Sequence, residues 1–223
     1  MDIMIIAIDG PAGAGKSTIS KRVARQLNFQ YIDTGAMYRG VTLKCLRLGL
    51  QPDQVSQKLI DLKTEIQLDG EKIFLDGEDV SQEIRSIEVS QSVSAYSAIP
   101  EVRLFLVDLQ RAMAINQNIL VDGRDIGTYV FPNAELKIFL TADVEVRAKR
   151  RFLEMQEKGN AVSFEEIVSN IETRDRIDSQ REMAPLKKAD DAIEVDTSSM
   201  KIEEVVEHIL FLVTAKQGKG INH

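Results

Sequence analysis

The chain has 223 residues, 43% of them apolar and 28% charged, with a formal net charge of −7 and a single cysteine. That composition supports one soluble α/β core with small appended modules. It excludes an internal disulfide and a multi-cysteine metal site, and it argues against a general binder of nucleic acid or anionic membrane, so any phosphate site must be local.

Residues 4–8 form an apolar run that reads as a strand, and residues 16–27 carry a helical pattern. Asp9 follows the short strand directly, so neither a signal peptide nor a membrane span is expected, and a cytoplasmic location is. Between strand and helix lies Gly10-Pro11-Ala12-Gly13-Ala14-Gly15-Lys16-Ser17, which has the G-x-x-x-x-G-K-S spacing of a P-loop in the strand–loop–helix setting that the motif requires. The glycines let backbone N–H groups turn inward around phosphate oxygens at the positive end of a helix dipole. Lys16 is placed to reach the β- and γ-phosphates of a nucleoside triphosphate, and the Ser17 hydroxyl to ligate Mg²⁺.

A second short apolar run, residues 29–32, is closed by Asp33-Thr34-Gly35, with Thr34 expected to cap a helix that reaches about Leu48. Met37, Val41, Cys45 and Leu48 make its apolar stripe, so Cys45 reads as a buried thiol. Arg39 lies one turn in, near the carboxyl ends of the strands where doubly wound folds bind ligands. Asp53 is expected to start a short helix to about Leu62. Residues 66–70 and 73–77 then alternate apolar and polar side chains around Asp-Gly turns, the pattern of an antiparallel hairpin that does not belong in a parallel sheet. Residues 63–98 therefore read as an insert, with 81–98 as its helix. Residues 100–116 carry Val102, Leu106, Leu109 and Met113 at helical spacing and return the chain to the core.

Ile119-Leu120-Val121-Asp122 is an apolar strand ending in a carboxylate, the form of a Walker-B aspartate that holds Mg²⁺ directly or through water. Gly123-Arg124-Asp125 follow at once. Residues 136–140 and 192–195 supply a fourth and a fifth strand, so the expected architecture is a three-layer α/β P-loop sandwich on a five-stranded parallel sheet. A last helix with Ile202, Val205, Val206, Ile209 and Leu210 on one face precedes a tail expected to fray from Gly218. Between the fourth and fifth strands lies the densest cationic region: Arg147, Lys149, Arg150 and Arg151, then Arg174, Arg176 and Arg181. Arg147, Arg150 and Arg151 share a helical face, as do Arg174, Asp178 and Arg181. Two helices separated at Gly159-Asn160 could fold over a nucleotide as a lid, residues 147–181.

These stretches resemble the nucleoside monophosphate kinases, and among them the bacterial cytidylate (CMP) kinases. The matching residues are those from Ile8 to Thr18, Asp33-Thr34-Gly35-Ala36-Met37-Tyr38-Arg39, Asp122-Gly123-Arg124-Asp125-Ile126-Gly127-Thr128, Arg174-Asp175 with Asp178 and Arg181, and Ala184-Pro185-Leu186. The resemblance covers nearly the whole chain. It includes the hairpin insert, which is similar to the nucleoside-monophosphate-binding insert that sets CMP kinases apart from adenylate kinases. Residues 1–62, 99–146 and 182–223 then form the P-loop core.

The resemblance implies transfer of the ATP γ-phosphoryl group to CMP or dCMP with Mg²⁺, in a monomer that binds neither nucleic acid nor membrane. Residues 10–17 and Thr18 would bind ATP. Arg39, Arg124 and Arg181 resemble the arginines on the acceptor phosphate. Ser94, Arg103 and Asp125 match those that read cytosine, with Ser92 and Ser97 on the same helix as alternatives to Ser94. Arg174 and Asp178 resemble the ribose and lid contacts, and Arg147 and Arg151 the lid arginines over adenine and the phosphates. Lys16, Asp122, Arg124, Arg151 and Arg174 are then the catalytic set. Tyr129 stands where the family usually has a small aliphatic residue.

The chemistry makes independent sense of these residue types. Cytosine offers an N4 donor beside two acceptors, N3 and O2, so a carboxylate and an arginine complement it, whereas uracil reverses the pattern at two positions. Phosphoryl transfer asks for alignment and cationic stabilisation more than for a strong base, which suits a chain whose two histidines, His208 and His223, read as solvated. A GTPase-type switch would need an Asn-Lys-x-Asp string that is absent here, and a shikimate-type kinase lacks a hairpin insert of this length.

Overall fold

A computed structural model of the chain describes residues 3–55, 63–157, 159 and 161–219. In chain order the elements are β1 (Ile5–Asp9), α1 (Lys16–Leu27), β2 (Gln30–Asp33), α2 (Thr34–Arg47), β3 (Ile66–Asp69), β4 (Lys72–Leu75), β5 (Glu78–Asp79), α3 (Ile87–Ser97), α4 (Pro100–Met113), β6 (Ile119–Gly123), β7 (Leu136–Thr141), α5 (Val144–Glu157), α6 (Phe164–Gln180), β8 (Ile193–Asp196) and α7 (Ile202–Lys219). Five strands make a parallel sheet in the order β2-β6-β1-β7-β8. Its central strands are covered on both faces, which is why β1 and β6 read as unbroken apolar runs rather than alternating ones. On one face Ile6, Ile8 and Leu140 pack against Ile19 and Val23 of α1 and Val206 and Ile209 of α7. On the other, Ala7, Ile32 and Val121 pack against Met37 and Val41 of α2 and Leu106 of α4. β1 lies mid-sheet, so its carboxyl end opens where doubly wound sheets bind ligands.

The insert is a three-stranded antiparallel sheet, β3-β4-β5, in which Ile66 pairs with Leu75 and the short β5 adds a strand to the expected hairpin. Ile66, Ile73 and Leu75 belong to the same apolar cluster as Met37 and Val41, so the insert is packed onto α2. The helix expected over 81–98 is divided: Glu83–Arg85 form a 3-10 turn, and α3 starts afresh where Ser86 Oγ accepts the Val89 N–H at 3.3 Å. Pro52–Gln54 is likewise a 3-10 turn, and residues 56–62 of the helix expected there lie outside the described residues.

Three local expectations are corrected. Asp33 rather than Thr34 caps α2, accepting the Ala36 N–H at 2.8 Å, which frees the Thr34 hydroxyl to donate to the Asp122 carbonyl at 2.7 Å. Met37, Val41 and Cys45 are buried, but Leu48 falls just past the end of α2 and is 50% exposed. α7 continues through Gly218 to Lys219, and residues 220–223 lie outside the described residues. Elsewhere α5 and α6 pair through a small apolar cluster of their own, Ala148, Ile167 and Ile171, with Phe152 edge-on to Phe164 at 6.0 Å. Among the described residues no helix is long and apolar enough to cross a membrane.

Candidate active site

The loop from Gly10 runs flush against β7. Gly10 has φ +150°, and a Cβ there would sit 1.9 Å from the Leu140 carbonyl oxygen, so only glycine fits. Lys16 Nζ donates to the carbonyls of Gly10 at 2.7 Å and Pro11 at 2.8 Å, spanning its own loop. Burial, and then the charge of Arg124, push its pKa well below the usual lysine range. Ser17 Oγ donates to Asp122 Oδ2 at 2.9 Å. Asp122 pairs in register with Asp33 across β6 and β2; burial, followed by the Asp33 charge, raises its carboxyl to about 7. A hydroxyl and a buried carboxylate at the loop mouth fit Mg²⁺, which keeps several waters and takes substrate phosphates rather than a full protein cage.

Above the carboxyl ends of the strands opens a cleft of about 360 Å³ lined by Lys16, Ser17 and Thr18 together with Arg39, Arg124, Arg151, Arg174 and Arg181. The arginines come from α2, the segment after β6, α5, α6 and the residue that caps α6. Four of the five have a carboxylate partner, that of Arg181 being Asp125 at 3.1 Å. Asp33 lies 3.6 Å from Arg39, Asp178 accepts from Arg124 Nε at 2.9 Å, and Glu154 pairs with Arg151 at 2.7 Å. Among the described residues, the buried Nε of Arg39 and of Arg174 have no hydrogen-bond partner. Burial, then Arg124, lowers Arg174 to about 10, with Arg39 and Arg151 acting in the same direction. The lining carries seven cations, Lys16, Arg85 and these five arginines, against five carboxylates, Asp33, Asp122, Asp125, Glu154 and Asp178, and such an excess of planar donors arriving from several directions suits a phosphate.

At the other end of the cleft, Asp125 is held between two guanidiniums. Arg181 Nη2 donates to its Oδ1 at 3.1 Å, and Arg103 Nη2 donates to its Oδ2. Arg103 is wholly buried, bonds the Ser97 carbonyl at 3.1 Å, and lies over the Tyr38 ring at 5.4 Å. It therefore does not line the cleft; it holds Asp125 from beneath. Of the three candidate serines, Ser94 and Ser97 line the cleft and Ser92 does not.

The arginines of α5 divide among three targets, although they share a helical face. Arg147 is buried behind the phosphate loop, bonding Ala142 O and Ala12 O, each at 2.9 Å, and Asp175 at 2.6 Å. Asp175 also accepts the Ala12 N–H at 3.3 Å, so α5 and α6 grip one loop residue by both backbone groups. Arg150 turns to Thr197, and Arg151 alone enters the cleft. The sequence reading assigned no role to Asp33 or Asp175. A carboxylate ending an apolar strand, the signal that marked Asp122, also marks Asp33; Asp175 is marked only by the matched Arg174-Asp175 pair.

The cytidylate kinase family model matches residues 6–215. A cytidylate kinase from Alkaliphilus oremlandii is 54% identical over 216 residues, spanning 96% of this chain and 99% of that protein. Another, from Caldanaerobacter subterraneus subsp. tengcongensis, is 52% identical over 217 residues, spanning 96% of each. Among solved structures, a gluconokinase from Sinorhizobium meliloti superposes with a TM-score of 0.54 at 13% identity, covering 99% of this chain and 98% of that one. A shikimate kinase from Bacteroides thetaiotaomicron gives 0.50 at 14% identity, covering 96% and 99%. At such identities these structures speak to the fold alone, that of the P-loop kinases. A family model spanning the whole core and relatives identical at half their positions agree with the phosphate loop and its ring of arginines: this chain belongs to the cytidylate kinase family.

Proposed function

We propose that this protein transfers the γ-phosphoryl group of ATP to CMP or dCMP, giving ADP and CDP or dCDP. The observation that carries the reading is one cleft in which Lys16 and Arg39, Arg124, Arg151, Arg174 and Arg181, with Arg85, outnumber the five lining carboxylates. Backbone N–H groups of residues 10–18, with Lys16, hold the ATP phosphates, and Arg147 serves that end by bracing the loop. Ser17 and Asp122 hold Mg²⁺, which when bound offsets charge on the β- and γ-phosphates. Arg39, Arg124 and Arg181 hold the acceptor phosphate, and Arg151 and Arg174 offset the charge that spreads over the transferring group. A loose transition state gains most from such alignment and charge compensation.

Ser94 and Asp125, with Arg103 beneath, read the base. The N4 amino group of cytosine meets a carboxylate already oriented by two guanidiniums, whereas uracil would set a carbonyl against it. Asp178 and Arg174 take the ribose. The insert, residues 63–98, closes over the monophosphate and the lid, residues 147–181, over ATP, keeping water from the γ-phosphate. The protein acts as a cytoplasmic monomer, with the whole cleft built from one chain, on small-molecule substrates and not on nucleic acid.

A coupled assay with ATP, Mg²⁺ and each of CMP, dCMP, UMP, AMP, GMP and shikimate tests this. CMP and dCMP are expected as the preferred acceptors; equal turnover of AMP would remove the base-reading role of Asp125.

A further inference from the structure

Asp9 is the last residue of β1, and the phosphate loop begins with the next residue. Its buried carboxylate accepts two backbone donors, the Ile126 N–H at 2.8 Å on Oδ1 and the Gly127 N–H at 2.7 Å on Oδ2. Those amides open a π-helical turn, Ile126–Val130, that starts immediately after Asp125. The first N–H groups of a helical turn have no partner within it, and two buried ones left unpaired are costly. One carboxylate, with an oxygen for each, satisfies both.

The fit is close. A Cβ on Gly127 would lie 3.0 Å from Lys137 Cδ and 3.4 Å from Asp9 Oδ2. The far end of the turn is held separately, by Arg111 on the carbonyls of Tyr129 at 2.9 Å and Val130 at 3.0 Å. Lys137 Nζ then bonds the Pro132 carbonyl at 2.5 Å. Of these anchors, only Asp9 is joined by a peptide bond to the loop that holds phosphate. Burial keeps the carboxyl of Asp9 raised to about 6, opposed by the same two amides, so this placement carries an electrostatic cost that packing alone does not explain.

We propose that Asp9 is a positioning residue for the acceptor end of the cleft: by accepting both amides it keeps the backbone bearing Arg124 and Asp125 in register with the phosphate loop, so that the two substrates are aligned through one carboxylate. The inference rests on the kinase reading above.

Isothermal titration calorimetry of CMP and of ADP, each alone, on wild type, D9N and G127A tests it. Asparagine keeps the volume of Asp9 but only one acceptor, so D9N is expected to weaken CMP by about tenfold or more while ADP changes by less than about threefold. Amide hydrogen exchange at Ile126 and Gly127 should quicken in D9N. G127A leaves the carboxylate in place but crowds the turn against the Lys137 side chain, and should weaken CMP selectively by a smaller factor; it carries the test if D9N does not fold. Equal losses for CMP and ADP, or an unchanged CMP affinity, would overturn the inference. Wild type that binds no CMP would instead defeat the kinase reading itself, whereas wild type and D9N that bind CMP alike defeat the inference alone.

Discussion

At the scale of single residues, Lys16 and Asp122 sit at the mouth of the phosphate loop where the fold makes charge expensive. Burial works against both, and each has a like-charged neighbour that adds to the effect, Arg124 for Lys16 and Asp33 for Asp122. A carboxyl whose folded-state pKa stands at about 7, above its ordinary 3.8, takes up a proton on folding. The stability it contributes is therefore present at low pH and lost as pH rises toward 7, and Asp9, raised to about 6, acts in the same direction. D122N removes the titrating group while its remaining carbonyl oxygen can still accept from Ser17. Its thermal midpoint at pH 8 is expected to exceed that of wild type by roughly 5 °C, with a flatter profile between pH 5 and 8, while phosphoryl transfer falls by about 100-fold or more. A midpoint below that of wild type at pH 8 would show that the carboxylate supports the fold. K16M follows the same logic: a loss of about 100-fold or more in rate with no fall in thermal midpoint, read from melting curves beside the coupled assay.

At the scale of elements, α5 separates structure from chemistry within one turn. Arg147 is bonded to two backbone carbonyls and Asp175, so truncating it leaves the Ala12 carbonyl and the Asp175 carboxylate without that donor. Arg151, one turn on, donates to Glu154 and is open to the cleft. R147A is therefore expected to lower the thermal midpoint by roughly 5 °C. R151A should leave the midpoint within about 1 °C, because a partly exposed ion pair contributes little, yet slow turnover by about tenfold or more. Differential scanning fluorimetry and steady-state rates on both variants check the contrast; the reverse pattern would exchange their roles.

At the scale of the whole molecule, a chain of net charge −7 gathers six of its fourteen arginines around one space. Ligands that bring negative charge there relieve repulsion among Arg39, Arg124, Arg151 and Arg174, and anything that binds only the folded state stabilises it by mass action. CMP is expected to raise the thermal midpoint by a few degrees, whereas cytidine at equal concentration should barely move it. Raising salt to about 0.5 M should shrink the CMP shift, since the arginines are partly open to solvent. A cytidine shift equal to that of CMP would mean that the base, not the phosphate, supplies the binding energy. The insert also reaches the donor side, where Glu71 in the β3–β4 turn pairs with Lys21 of α1 at 3.0 Å.

The sequence by itself determined whatever a few consecutive residues decide: the turn of the phosphate loop, the carboxylate that ends β6, the Asp-Gly hairpin that interrupts the parallel pattern, and the helices carrying the arginines. Backbone geometry and side-chain period are local properties, so short stretches express them without the rest of the chain. Tertiary structure alone decided what stands opposite each face. The period of α5 puts Arg147, Arg150 and Arg151 together, but only the packed fold sends them to the loop, to Thr197 and to the cleft. Likewise Arg103 acts from beneath Asp125, and Asp9 meets amides 117 and 118 residues away. A hydrogen bond across such a separation exists only once the sheet has set β1 beside β6, because no property of either segment alone names its partner.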